Sequence, residues 1–358
     1  MSFGLALARS RDDTAGMFVI DAAERGLVPE RLLRVGIEQL VRLRLREERA
    51  REASHAGGFV HHFVESLRGA PIALVPQAAN AQHYEVPADF FTHALGRHLK
   101  YSCGLWPAGV TGLDDSEAAM LELTCQRAQL VDGQQVLELG CGWGSLSLWM
   151  AERFPTSRIV AVSNSRSQRA FIEAQAKARG LSNLEVLTAD MNDFTTERRF
   201  DRVVSVELFE HLRNYERLVS RVASWLLADG KLFVHVFSHR HFAYPFEDQG
   251  PQDWMARNFF SGGLMPSEDL LLHFQRDVVL EARWRVDGTH YERTAEAWLR
   301  RIDEQREAVV SVFARQHSRA EAERWYHRWR LFFLGVSGMF GFDDGQQWGV
   351  SHYRFVRR

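Results

Sequence analysis

The stretch VLELGCGWGSLSLWM (Val136–Met150) runs an apolar, strand-like segment into three glycines at alternate positions and then directly into a helix. Gly140, Gly142 and Gly144 fall at the C-terminal end of a first strand, where open α/β sheets bind their ligands. Glycine there lets backbone amides approach a ligand with no Cβ in the way. Working outward, Gln135–Leu139, Arg158–Val162, Leu184–Thr188, Arg202–Ser205 and Lys231–Phe237 read as strands separated by helical segments, and a helix over Asp114–Leu130 covers them. Strand-helix alternation of this kind predicts a doubly wound, mainly parallel sheet.

The loop spacing is GxGxG, preceded by Glu138, whereas a dinucleotide site calls for GxGxxG with an acid about twenty residues on to hold a ribose. After the second strand that acid is replaced by SNSRSQ, in which Asn164, Ser165 and Gln168 can bond hydroxyls. After the third strand LTADMNDF supplies Asp190, placed to accept from an adenine amino group while Met191 packs on the ring. Taken alone, Asp190 is equally a helix cap and Glu138 an ordinary strand-end acid. Taken in order on successive strand ends, they suit S-adenosylmethionine.

The 358 residues allow one catalytic domain with helical additions, and 46% hydrophobic with 25% charged residues is the composition of a folded globular chain. A net charge of -2 gives no nucleic-acid signal. Apolar runs fall short of a spanning helix, and MSFGLALARSRDD is too soon charged for a secretory signal, so a cytoplasmic protein is expected. Cys103, Cys125 and Cys141 form no CxxC pair, and no His/Cys/Asp/Glu spacing demands a metal. From Met17 to about Ala53 the chain reads as a basic amphipathic helix with Leu33, Ile37, Leu40 and Val41 at helical spacing; it either packs on the domain or touches an anionic membrane. Between His239 and Pro266 an aromatic-rich section with a Gly262-Gly263 turn reads as a cover over the cleft, followed by helices and a terminal strand in WGVSHYRFVRR.

The motifs HYEVPADFF, LKYSCGLW, VLELGCGWGS, VELFEH, FVHVF and HYERT resemble the series of the cyclopropane fatty acid synthase superfamily of S-adenosylmethionine-dependent methyltransferases. GLVPERLLRVGIEQL, VHVFSHRHFAYPFED, DWMARNFFSGGLMPSEDLLLHFQRDV and the tail WRLFFLGVSGMFGFDDGQQWGVSHYRF are most similar to its coclaurine N-methyltransferase branch. The resemblance implies a class I methyltransferase, Rossmann-like seven-stranded sheet with N-terminal and C-terminal helical additions. It divides the chain into a helical region and cofactor lid (1–113), a cofactor-binding core (114–240) and an acceptor-pocket cover with helices and final strands (241–358). It also implies Tyr101, Ser102, the glycine loop, the polar loop and Asp190 as cofactor contacts.

SVELFEHLRNY places Glu207, Glu210 and His211 three and four residues apart, which a helical turn would align. An ammonium is not nucleophilic until it loses a proton, so carboxylates can attract it and a glutamate or His211 can accept that proton. In the resembling N-methyltransferases the matching positions serve amine binding and deprotonation. In the cyclopropane synthases the matching region forms a bicarbonate site, here Cys103, Glu210, His235 and Tyr291, whose bicarbonate removes a proton after an alkene is methylated. Two acceptors therefore stay open: a small-molecule amine, or an unsaturated lipid with bicarbonate and membrane-surface contact. A silent cofactor-binding module is the third reading, against which the intact trio argues. Read without the resemblance, His235 in its apolar strand and Cys103 are core residues. Tyr244, Phe246, Trp254, Phe259, Phe260, Phe274 and Trp329 are candidate pocket walls, most of them core.

Overall fold

The computed structural model describes residues 16–55, 58–74, 86–247 and 253–358. His83, Tyr84 and Glu85 of the HYEVPADFF motif, and residues 248–252 of the aromatic section, lie outside them. The strands are β1 (Gln135–Leu139), β2 (Arg158–Ser163), β3 (Leu184–Thr188), β4 (Phe200–Val206), β5 (Leu226–His239), the two-residue β6 (Tyr244–Pro245) and β7 (Leu264–Met265), β8 (Val278–Asp287) and β9 (Trp348–Arg357). Seven of them form one sheet in the order β3-β2-β1-β4-β5-β9-β8. Neighbours from β3 through β5 pair in parallel, while β9 is antiparallel to both β5 and β8.

The central strands β1 and β2 are buried after their first residue, which is why they read as apolar runs: helices cover both faces of the sheet. Edge strand β8 was expected as part of a helical stretch and is a correction. Its sequence VVLEARWRVD alternates between the sheet face and solvent, and Arg283 and Arg285 pair outward with Asp269 and Glu268.

The expected N-terminal helix over 17–53 is also corrected. One helix ends before Gly26, whose φ of 71° is left-handed, and α1 (Glu30–Ser54) begins after Pro29. Helix α1 lays Leu33, Ile37, Val41 and Leu45 on the main core, against α11 (Arg319–Phe340). Four of its arginines are held by carboxylates of this chain: Arg34 by Glu30 and Glu296, Arg42 by Glu38, Arg44 by Glu48 and Asp253, Arg51 by Glu48. Leu32, Val35, Leu40 and Leu43 remain exposed. One face of the basic helix thus packs on the domain, while Leu40, expected on that face, points to solvent. No helix among the described residues is long and apolar enough to cross a membrane.

Beyond α1, the site is framed by α4 (Leu113–Ala128), α5 (Ser145–Arg153), α6 (Arg166–Ala178) and α9 (Gly288–Glu304). The other α-helices after Glu30 are α2 (Phe59–Gly69), α3 (Ala88–Ala94), α7 (Tyr215–Trp225), α8 (Trp254–Phe259) and α10 (Arg306–Ala314). Helices α9 and α11 pack on each other and carry the aromatic core of the C-terminal addition, centred on Trp298, Trp329 and Phe333.

Candidate active site

Two adjoining cavities open at the C-terminal ends of β1 and β4 and share Gly140, Gly142, Gln168 and His211 in their walls. The first is also lined by Tyr101, Ser102 and Glu138, the second by Asn164, Asp190 and Met191. Gly140 and Gly142 have φ of 78° and 51°, and a Cβ on Gly142 would stand in open space. The loop thus offers bare backbone to a ligand. Gly144 and Ser165 line neither cavity. A Cβ on Gly144 would meet Ile172 at 2.6 Å, so that glycine lets α5 seat against α6, and Ser165 caps α6 by accepting from the Gln168 amide.

Buried polar atoms without a hydrogen-bond partner among the described residues mark the first cavity as a place for a polar ligand: Thr124 Oγ1, Ser145 Oγ, Gln168 Nε2 and Glu210 Oε2. Burial pushes the Glu138 carboxyl up to about 7, against the hydrogen bond it accepts from Ser147. The Asp190 carboxylate accepts from the Asn192 amide at 2.8 Å, an Asx turn that orients it at the wall of the second cavity. These groups fit a ligand with hydroxyl, amine and purine functions.

Glu207, Glu210, His211 and Tyr291 line the first cavity together. A helical turn does not align the trio, which corrects the sequence expectation. Glu207 is the first residue past β4, its amide still donating to the His235 carbonyl at 2.8 Å, and Phe209–His211 form a single turn of 3₁₀ helix. A φ of 46° at Glu207, rare for a residue with a Cβ, swings its side chain into the cavity.

There Glu207 has three polar partners. The Cys103 amide and His235 Nε2 each lie 3.2 Å from Oε1, and the Tyr291 hydroxyl lies 2.6 Å from Oε2. Burial raises the carboxyl above its ordinary range, opposed by the Lys100 ammonium and by the Tyr291 and Cys103 donors. Glu210 has its own backbone amide as a donor and one oxygen, Oε2, without a partner. Burial and then the Glu207 charge push its carboxyl far up, so the two glutamates are driven apart in proton affinity. Burial lowers His211 to about 4, against the attraction of Glu207, and its ring stacks on Phe260 at 5.6 Å.

The cavity wall beyond these groups is apolar: Phe237, Phe246, Met255, Phe260, Phe332 and Phe340. Of the aromatics expected there, Phe246 and Phe260 take that place. Phe259 and Trp329 are core, Phe274 packs edge-on against Tyr215, Trp254 donates to Glu24, and Tyr244 accepts from Trp348. Lys100 escaped sequence reasoning; it is buried beside Ser102, to which it donates. A lone lysine before the YSCGLW motif was its available signal. Ser145, first residue of the helix after the glycine loop, was missed as well. The three cysteines are free and buried.

A family profile described as mycolic acid cyclopropane synthetase matches residues 75–346. The chain is 38% identical to (S)-coclaurine N-methyltransferase of Thalictrum flavum subsp. glaucum over 94% of each protein. It is 36% identical to pavine N-methyltransferase of the same plant, over 83% of this chain and 84% of the relative. A crystal structure of coclaurine N-methyltransferase bound to N-methylheliamine and SAH superposes with a TM-score of 0.89 at 35% identity, covering 96% of this chain and all of that one.

Proposed function

We propose, for a chain that belongs to the mycolic acid cyclopropane synthetase family and is an S-adenosylmethionine-dependent methyltransferase of its coclaurine N-methyltransferase branch, that the methyl acceptor is the nitrogen of a small aromatic amine held at Glu207. The observation that carries this reading is the occupancy of three donors. The Cys103 amide, His235 and Tyr291 belong to the set that would hold bicarbonate for alkene chemistry, and here all three are spent on the chain's own Glu207 carboxylate. Glu210, the fourth member, has one oxygen unpaired instead of sharing that cluster. An anchored carboxylate thus stands where a free anion would be needed.

Tyr101, Ser102, Glu138, Gly140, Gly142 and Gln168 would hold one end of the cofactor, and Asn164, Asp190 and Met191 the adenosine end. When bound, S-adenosylmethionine supplies an electrophilic methyl group on a sulfonium. The chain's residues prepare the nucleophile. Anionic Glu207 attracts the ammonium, and the aromatic wall, with Phe246 and Phe260, favours a cation over its ring faces. Proton transfer breaks an N–H bond, leaves its electron pair on nitrogen and forms an O–H bond on Glu207. Glu210 keeps its proton and adds no second anion, and neutral His211, stacked on Phe260, can accept a hydrogen bond or relay the proton. The apolar wall excludes water that would compete for the methyl.

The test is product mass after incubation with methyl-labelled cofactor and, in parallel, a panel of secondary and tertiary amines and vesicles of unsaturated phospholipid. A methyl on amine nitrogen is expected, with turnover indifferent to added bicarbonate. A methyl or methylene on acyl carbon, or dependence on bicarbonate, would overturn the reading. Asp190→Ala is expected to weaken S-adenosylhomocysteine binding about tenfold, the worth of one hydrogen bond to a charged group, and to spare turnover at saturating cofactor. Titration calorimetry with saturation kinetics checks it.

A further inference from the structure

We infer that His352, on β9, is a positioning residue that sets the direction of a hydrogen-bonded chain running from Arg127 through His352 and His235 to the Glu207 carboxylate. The direction follows from the one member that cannot accept. Arg127 Nη1 lies 2.8 Å from His352 Nδ1, and a guanidinium has donors only, so Nδ1 accepts and the His352 proton sits on Nε2. His352 Nε2 lies 2.9 Å from His235 Nδ1, which must then accept, leaving the His235 proton on Nε2. That N–H faces Glu207 Oε1 at 3.2 Å.

The fold holds each link in place. His235 and His352 are cross-strand partners in the β5–β9 ladder, with ring centroids 4.6 Å apart, and both are fully buried. Arg127 lies near the end of α4 with its guanidinium over the Trp284 ring, and its carbonyl accepts from Arg354 at 2.6 Å. The groups facing His352 are His235 from β5, Phe233 in edge contact, Arg127 from α4 and, further off, the Lys100 ammonium. Burial and these cations hold both imidazoles neutral, well below the ordinary histidine range.

His235 is therefore a fixed donor, with neither nitrogen free to take the acceptor's proton. Its N–H stabilises the ionised form of Glu207, the form able to bind an ammonium and receive its proton. This inference rests on the reading of Glu207 as the amine site.

Two measurements test it. ¹⁵N NMR of the full chain is expected to show His235 neutral and protonated on Nε2; protonation on Nδ1, or an imidazolium near neutral pH, would overturn the chain's direction. In kinetics, His352→Leu removes the donor to His235. The acid limb of kcat/KM for the amine is expected to move up by roughly one pH unit, a change of about tenfold at its acid end, with KM for S-adenosylmethionine unchanged. His352→Gln, whose amide can donate to His235 and accept from Arg127, is expected to move the limb back. A lower melting temperature with an unmoved pH profile would show packing alone and sink the proposal. Should His352→Leu not fold, Arg127→Leu releases the same tautomer from the outer end, and an unmoved limb there counts equally against it. Full activity of Glu207→Gln would refute the amine-site reading while leaving the NMR result to judge the chain by itself.

Discussion

Glu207→Gln lowers amine methylation by about 10²–10⁴-fold while leaving S-adenosylhomocysteine affinity as it was: this is the expected result, set by what a positioned general base contributes. Glutamine is the informative substitution. Alanine would strand the Tyr291 hydroxyl, the His235 N–H and the Cys103 amide without an acceptor in a buried place, adding a folding cost to the loss of chemistry. Glutamine keeps the length and one acceptor oxygen, and removes the charge that draws the ammonium and the site that takes its proton. Single-turnover kinetics with calorimetry on the same preparation checks it; equal loss of cofactor binding would place Glu207 in the cofactor shell instead. The sign of the pH dependence follows from the same geometry. In the proposed role Glu207 works as a carboxylate, and burial sets its carboxyl above the ordinary range, so activity is expected to fall as pH drops through that raised value. His211, neutral above about 4, does not set this limb.

Gly288→Ala is expected to cost more than about 4 kcal/mol of stability or to abolish soluble expression, the penalty of overpacking against atoms that cannot move. Gly288 opens α9 where β8 ends, its amide donating to the Gly345 carbonyl at 3.0 Å. A Cβ there would run into the carbonyl oxygens of Phe340 and Trp348 and come within 3.0 Å of the Gly345 Cα. All of these are backbone, so relief requires α9, the end of α11 and the start of β9 to separate. Thermal melting and expression yield read the outcome. A variant melting within a few degrees of the parent would show that this junction can give. Because Tyr291 lies on the first turn of α9, a folded variant should also lose part of its turnover.

By itself the sequence determined those features whose information is local. The apolar run ending in Gly140, Gly142 and Gly144 marks β1 and its loop, and a run of the same kind marks β2, because strands covered on both faces carry near-continuous apolar side chains. VELFEH likewise gathers two carboxylates and an imidazole in five residues. Edge strand β8 carries its own local signal, Leu280, Ala282, Trp284 and Val286 alternating with Glu281, Arg283, Arg285 and Asp287, which is the period of a half-buried strand and differs from the continuous apolar runs that mark the inner strands. What only the tertiary structure decided is the surroundings of each of those groups: three polar partners around Glu207, and one unpaired carboxylate oxygen on Glu210. The donors on Glu207 come from Cys103, His235 and Tyr291, which are 104, 28 and 84 residues away, and His352 reaches the site through strand register alone. Proton affinity in a buried site depends on the burial, charges and donors around each group, and these are brought together by packing between distant segments, so no spacing along the chain records them.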